Sequence, residues 1–170
     1  ECRKVNLLIK IYLDKDPFKE IFAFIRKIGL STFDLILCIY EYALPKVPKM
    51  MELMDRFIED SISSLYDDYD EMVTFVSNIE NAKKFEEGEL GQNELLTSRV
   101  LAYLEYEDAL DEVLKLATNH YLKKHECYTE VRENYVDEAL RFGRMRRYHL
   151  YKMDEEYECS FTFDFLAAEK

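Results

Sequence analysis

A run of apolar residues at helical spacing, from Pro45 to Glu80, most constrains how this chain folds. Apolar side chains recur there at steps of three and four residues without losing phase, which is typical of a helix with one broad apolar stripe. Such a helix is about 50 Å long at about 1.5 Å per residue, longer than an ordinary domain helix. A stripe that long cannot bury itself, so we expect the segments on either side to pack around it. Its residues are Val47, Met50, Met51, Met54, Phe57, Ile58, Ile62, Leu65, Tyr69, Met72, Val73, Val76 and Ile79.

The same stretch contains one candidate break, at residues 66–68. Asp67 or Asp68 is a suitable N-cap for a new helix, with Glu71 reaching back to the cap. A continuous helix and a broken one both remain open on this pattern.

Composition favours a mainly α fold. The 170 residues are 48% hydrophobic and include only 4 glycines and 3 prolines, so helix breakers are rare. We therefore predict a single multi-helix domain, residues 1–170, built as a bundle around one long helix at about 45–80.

Shorter helical patterns flank the long stretch. We predict helices at residues 3–13, at 17–28 with Asp16 as N-cap and Gly29 as C-cap, and at 32–43 with Ser31 as N-cap. These three helices are apolar on more than one face, so we expect cover on two sides, one of which is missing in an isolated fragment. After a loop at 81–91, a helical pattern resumes from Gln92, and Asp108 is a candidate N-cap of a separate helix that runs to about Lys124.

The C-terminal part changes its period. A helix is predicted from Cys127 to Phe142, ended by Gly143. Aromatic and polar residues then alternate from Tyr157 to Phe165, which is typical of a half-buried strand, with the segment from Arg146 to Met153 as its partner. We therefore predict a β-hairpin at about 146–165, packed on the helices.

Charge limits the partners. The net charge of −12 argues against nucleic acid and against an anionic membrane surface, and charged residues interrupt each apolar run before it can span a bilayer. An acidic cytoplasmic protein is expected. The exception is a cluster of four arginines, for which pairing with the protein's own acidic surface is favoured over an anionic ligand: Arg141, Arg144, Arg146 and Arg147.

The motifs of common catalytic and metal sites are missing from the sequence. Glu-x-x-His pairs, a nucleophile elbow, a Walker loop and a dinucleotide fingerprint do not occur. His120, His125 and Cys127 lie close in sequence, but His125 is on a different helix face from His120 and Cys127 is about two turns away, so surface histidines at a helix end are favoured over a zinc site. The acidic clusters at 67–71 and 86–89 are interpreted as solvated surface. We assign no catalytic, cofactor-binding or metal residue, and the four cysteines are interpreted as free thiols.

One short motif stands apart from generic helix. The sequence from Glu87 to Leu95, E-G-E-L-G-Q-N-E-L, joins a tight turn at Gly91 to a helix capped by Asn93. Its L-G-x-N-E-L form resembles a segment of the C-terminal region of cobalamin-binding radical SAM proteins, those similar to Mg-protoporphyrin IX monomethyl ester oxidative cyclase. The terminal segment from Phe161 to Leu166 resembles the aromatic strand that closes that region.

The resemblance implies that this chain is the non-catalytic C-terminal accessory domain of a larger oxidoreductase. The parent would carry a 4Fe–4S cluster, S-adenosylmethionine and cobalamin, and the preceding radical SAM domain of the same polypeptide would be the partner. No C-x-x-x-C-x-x-C or D-x-H-x-x-G motif occurs in this chain, so no catalytic residue is carried over. The start at Glu1, without methionine, favours a fragment.

The alternative is an independent helical protein–protein interaction module without enzymatic role. It predicts binding along an exposed groove and a self-contained core with one distinct apolar groove elsewhere, whereas the accessory-domain hypothesis predicts an uncovered apolar face on residues 3–43. A homodimer is left open. A stand-alone enzyme requires a pocket with convergent titratable groups, which we do not expect.

Overall fold

The computed structural model describes residues 1–63, 65–91, 93–148 and 158–166. The mainly α prediction is confirmed, because most of the described residues lie in helices. A π-helical turn, Ile39–Ala43, and a short 3-10 helix, Leu44–Lys46, connect the third and fourth α-helices. The α-helices are α1 Cys2–Tyr12, α2 Lys19–Lys27, α3 Thr32–Cys38, α4 Pro48–Ser63, α5 Tyr69–Ser77, α6 Ile79–Glu86, α7 Glu94–Glu105, α8 Glu107–Lys124 and α9 Glu130–Tyr148.

The core is organised around α8 rather than around the 45–80 stretch. Helix α8 contacts α3, α4, α7, α9 and the π-helical turn. It is buried on more than one face, and Leu110, Val113, Leu114 and Leu122 have no exposed surface. A helix surrounded in this way needs apolar residues at most positions of its core-facing sides, so its amphipathic pattern is weaker than that of a surface helix.

The domain itself covers the first three helices. Helix α1 packs against α3, α4 and α7, and Leu7, Leu8 and Ile11 are completely buried. Phe33 is 53% exposed, and the other large apolar side chains of residues 3–43 are buried or half-buried. The expectation that one side of these helices has lost its cover is therefore wrong.

The predicted long helix at about 45–80 is broken into three. Helix α4 ends at Ser63, and Asp68 caps α5 by accepting a hydrogen bond from the Glu71 amide at 2.8 Å. Glu71 reaches back and accepts from the Asp67 amide at 2.6 Å, as the candidate break required. Asn78 then ends α5 and caps α6, accepting from the Glu80 amide at 2.8 Å.

Three other predicted caps are confirmed. Ser31 accepts from the Asp34 amide at 3.2 Å, and Asn93 accepts from the Leu96 amide at 3.1 Å. Gly29, with φ of +79°, ends α2 in a Schellman motif, in which its amide bonds to the Arg26 carbonyl and the next amide to the Ile25 carbonyl.

Two predicted caps are wrong. Asp16 lies in a left-handed turn at φ of +51°, and Phe18 stands at the cap position of α2. Asp108 lies inside α8, which begins at Glu107 directly after the one-residue break between α7 and α8. Its carboxylate pairs instead with Arg144, at 2.8 Å.

The predicted β-hairpin at about 146–165 is not seen in the described residues. Helix α9 continues through Gly143 and Arg146, so the predicted end of the helix is also wrong. A Cβ at Gly143 would lie 3.1 Å from Arg147 Nη1 and 3.4 Å from Glu20 Oε2, so glycine permits close packing here rather than a turn. Residues 149–157 lie outside the described residues.

Residues 158–166, which we call the C-terminal strap, contain no strand. The ring of Phe165 lies 5.1 Å from that of Phe142 and 5.3 Å from that of Tyr135, both on α9. Glu138 Oε2, also on α9, accepts the Thr162 amide at 2.7 Å and the Phe163 amide at 3.1 Å. The Glu138 side chain therefore accepts hydrogen bonds from two amides that would, in a sheet, donate to a neighbouring strand.

Candidate protein-interaction surface

Exposed apolar side chains concentrate in one part of the chain. Fourteen large apolar side chains are exposed among the described residues, and eight of them lie between Ile62 and Phe85. Tyr69 and Ile79 are 72% and 75% exposed, more than is usual for residues of this kind. The eight are Ile62, Leu65, Tyr66, Tyr69, Val73, Val76, Ile79 and Phe85.

Helices α5 and α6 form an arm, residues 65–91, that lies outside the core. Neither helix contains a buried residue, and each makes its main helix contact with the other. The arm has a small aromatic cluster of its own, in which the ring of Phe75 lies 5.3 Å from that of Tyr66 and 6.4 Å from that of Phe85. The Asn81 side-chain amide donates to the Phe75 carbonyl at 3.0 Å and ties the two helices together.

One side of α5 is an apolar face. Tyr69, Val73 and Val76 follow one another at steps of four and three residues, so their side chains leave the same side of the helix. All three are exposed. The helical pattern that predicted a core stripe is therefore present, but no described helix lies opposite it.

The arm is strongly acidic. Its sequence contains eight acidic and two basic residues. Glu80 forms a 3.6 Å ion pair with Lys84, while Asp68 and Glu71 are engaged in the cap of α5. The remaining acidic side chains, all exposed, are Asp67, Asp70, Glu86, Glu87 and Glu89. The interpretation of the two acidic clusters as surface is confirmed, and the structure places both beside exposed apolar residues.

A second exposed apolar stripe runs along α7. Leu96, Val100 and Leu104 are spaced four residues apart and are 45–56% exposed, while the other side of α7 packs on α1 and α4. The charges of this helix are mixed and partly paired. Arg99, for example, donates to both the carboxylate and the backbone carbonyl of Asp14, at 2.8 Å each.

The four-arginine cluster is mostly engaged within the protein. Arg144 and Arg147 both bind the carboxylate of Asp111, at 2.8 Å. Arg146 pairs with Glu20 at 3.1 Å, and Arg141 stands 5.4 Å above the ring of Phe161. The prediction that these arginines pair with the protein's own acidic residues is confirmed for three of the four. Burial raises the pKa of Asp111, and the two arginines oppose that effect.

His120, His125 and Cys38 contact aromatic rings or the backbone of the core. His120 stacks on Tyr42 at 3.5 Å, and burial together with three nearby lysines lowers its pKa. His125 meets the ring of Tyr121 edge-on at 4.6 Å. The Cys38 thiol donates to the Ala117 carbonyl at 3.5 Å. Across the part of the chain that the structure describes, no group of three or more His, Cys, Asp or Glu residues could hold a metal ion.

A cleft of about 420 Å³ lies between α9 and the strap. Its ionisable groups already have partners, since Asp137 pairs with Lys115 at 2.7 Å and Glu138 holds the strap amides. Burial raises the pKa of Glu138, but the hydrogen bonds from Thr162 and Phe163 outweigh that effect and lower it. The cleft thus serves to seat the strap.

Sequence reasoning missed the arm as a surface. The available signal was the acidic capping sequence in the middle of the apolar stripe, because a helix break there detaches the rest of the stripe from α4. Among the described helices, none is both long enough and apolar enough to cross a bilayer. Comparison of the chain with protein-family models, with curated proteins and with solved structures found no match.

Proposed function

We propose that this chain is a helical protein–protein interaction module whose arm binds a partner protein. The observation that carries the proposal is the exposed apolar face of α5 on a pair of helices without buried residues. Exposed apolar patches rimmed by polar residues mark interaction sites in soluble proteins. An aromatic residue such as Tyr69 at the centre of such a patch is a common anchor in protein interfaces.

The division of the molecule supports the same proposal. Helices α1–α4 and α7–α9 build a core that needs no contribution from the arm, whose helices have no buried residues. The interaction-module hypothesis predicts such a self-contained core, although the exposed apolar residues form a helix face rather than the predicted groove. The apolar faces of residues 3–43, which the accessory-domain hypothesis invoked, are satisfied inside the domain.

The resemblance to cobalamin-binding radical SAM proteins stays a prediction. Within this chain, the residues of its motif have structural tasks: Asn93 caps α7, and the backbone at Gly91 lies against the ring of Phe85. The 4Fe–4S cluster, S-adenosylmethionine and cobalamin belong to the predicted parent enzyme. If that parent exists, its preceding domain is one candidate partner for the arm.

Site-specific crosslinking tests the proposal. A photo-crosslinking amino acid at Val76 should capture a discrete partner in the cells that make the protein. The same amino acid at Glu112, an exposed position on α8, is the control and should not capture it. Equal crosslinking from both positions would remove the support for the arm as the binding surface.

The apolar face must also be dispensable for folding. The double variant Tyr69→Ser/Val73→Ser should keep the free energy of unfolding within about 1 kcal/mol of wild type, because these side chains are exposed. Leu53→Ala on α4, at a fully buried position, should lose about 2–5 kcal/mol. A loss of that size in the double variant would mean that the face is part of the fold.

A further inference from the structure

The charge of the arm indicates what kind of partner fits it. Asp70 follows Tyr69 directly on α5, and Asp67 lies in the turn before the helix. Glu86, Glu87 and Glu89, also exposed, lie at and just after the C-terminal end of α6. Asp67 and Asp70 thus adjoin Tyr69, the first residue of the apolar face, on an arm with eight acidic and two basic residues. A partner that buries the face therefore comes close to the Asp67 and Asp70 carboxylates, which favours positive charge on that partner.

The negative charge of the arm disfavours three other binding partners for the apolar face: a second copy of this chain, an anionic membrane and a nucleic acid. A second copy of this chain would place two arms, each with a large excess of negative charge, against each other. An anionic membrane surface or a nucleic acid would meet the same repulsion. The α7 stripe lacks this bias, since its charged neighbours have both signs.

The shape of the face indicates the form of the partner. Tyr69, Val73 and Val76 span about two turns of α5, roughly 10 Å along the axis. Packing of one helix on another matches side-chain rows of this spacing, and amphipathic helices bind such surfaces through anchors at i, i+3, i+4 and i+7.

We infer that the partner of the arm is a basic amphipathic helix, one with an apolar stripe flanked by Lys or Arg. This inference rests on the proposed function and adds the chemistry of the partner to it. The apolar stripe covers Tyr69, Val73 and Val76, and the flanking cations pair with Asp67 and Asp70. The apolar contacts supply most of the affinity, while the charges select the partner and speed its association.

Three synthetic helical peptides test the inference on the full 170-residue chain. They share one leucine stripe and carry lysine, glutamine or glutamate on the flanks, and their affinities are measured by fluorescence anisotropy at 50 mM and 200 mM salt. The lysine peptide should bind about tenfold or more tightly than the glutamine peptide, and this advantage should shrink at the higher salt. The glutamate peptide should bind weakest.

Matched variants locate the binding site of the lysine peptide. Asp67→Asn/Asp70→Asn should weaken binding by about three- to tenfold, and Glu41→Gln/Glu112→Gln, which changes the net charge equally, should not. Tyr69→Ser/Val73→Ser should abolish binding, whereas Val100→Ser on the α7 stripe should leave it unchanged. Asp68 and Glu71 are left intact because they cap α5.

Two outcomes overturn the inference without touching the proposed function. One is equal binding of the glutamine and lysine peptides, and the other is no binding of the lysine peptide while Val76 still crosslinks a partner. Sedimentation gives a third contrary result if the wild-type chain forms a dimer that Val73→Ser dissociates, because the occupant is then a second copy. A failure of crosslinking at Val76, in contrast, counts against the proposed function itself.

Discussion

Arg147 Nη2 donates a hydrogen bond to Asp111 Oδ1 at 2.8 Å, and this contact joins the end of α9 to α8. Only 9% of the Arg147 side chain and 12% of the Asp111 side chain are exposed. Arg144 binds the other oxygen of the same carboxylate, so Asp111 holds two guanidinium groups at the α8–α9 interface.

Removal of this carboxylate should destabilise the protein strongly. Asp111→Ala leaves Arg147 buried without its nearest counter-charge, and breaking a buried pair in this way typically costs about 3–5 kcal/mol. Because Arg147 keeps Glu107 at 3.4 Å, we expect about 3 kcal/mol, measured by urea unfolding. Asp137→Ala is the control, since its 2.7 Å pair with Lys115 is about 40% exposed and should contribute less than about 1 kcal/mol. Equal losses of unfolding free energy in Asp111→Ala and Asp137→Ala would contradict the conclusion that the buried Asp111 pair stabilises the fold more than the exposed Asp137 pair.

The strap should loosen in acid through Glu138. Its pKa is lowered in the folded protein, so the stabilisation is complete above the ordinary value of 4.5 and is lost as the pH falls through the lower, folded value. In an NMR titration, the amide shifts of Thr162 and Phe163 should therefore move below pH 4.5. Glu138→Gln should remove that transition, and Glu130→Gln should retain it. Amides that titrate at or above 4.5 would argue against the hydrogen bonds.

His120 should titrate below the ordinary histidine value. Burial lowers its pKa, and Lys46, Lys124 and Lys123 lower it further. A lowered pKa means that the unfolded chain binds the proton more readily, so stability falls as the pH drops through 6.5 toward the folded value. The imidazole resonances should report a pKa below 6.5, and Lys46→Gln should raise it. No change on that substitution would exclude Lys46 as a cause.

The caps of α5 and α7 should have different consequences for the whole protein. Asp68→Ala and Asn93→Ala each remove one side-chain cap, which typically contributes about 1 kcal/mol. Helix α7 packs on α1 and α4, so Asn93→Ala should lower the free energy of global unfolding by about that amount. Asp68→Ala should instead increase hydrogen exchange in residues 69–77 without changing global stability, because the arm opens locally. A global loss from Asp68→Ala would mean that the arm folds with the core.

Local features of the fold were predictable from short stretches of sequence. The caps at Ser31, Asp68 and Asn93 each depend on hydrogen bonds within a few residues, so the side chain and its backbone partner are neighbours in the chain before any packing occurs. The mainly α class was also predictable, because helix propensity and apolar spacing depend on residues that are close together in the sequence.

The C-terminal segment shows where such patterns fail. Alternating phenylalanines at 161, 163 and 165 are compatible with a strand, but a strand also needs a neighbouring strand to bind its amides. In the described residues that role falls to Glu138 on α9. Gly143 is likewise a residue type that often ends helices, and the sequence pattern predicted an end there. The structure shows that α9 continues through Gly143, where the missing side chain leaves room for Arg147 and Glu20.

The sequence by itself determined that the chain is helical, where several helices begin and that one apolar stripe runs from Val47 to Ile79. The tertiary structure decided which part of the stripe is core. Phe57 is 1% exposed and Val76 is 52% exposed, although both belong to the same helical pattern. Periodicity reports that one side of a helix is apolar, whereas burial depends on whether another element lies opposite it. Among the described residues, such an element lies opposite the apolar side of α4, but none covers the Tyr69, Val73 and Val76 face of α5, which is why that face is a surface.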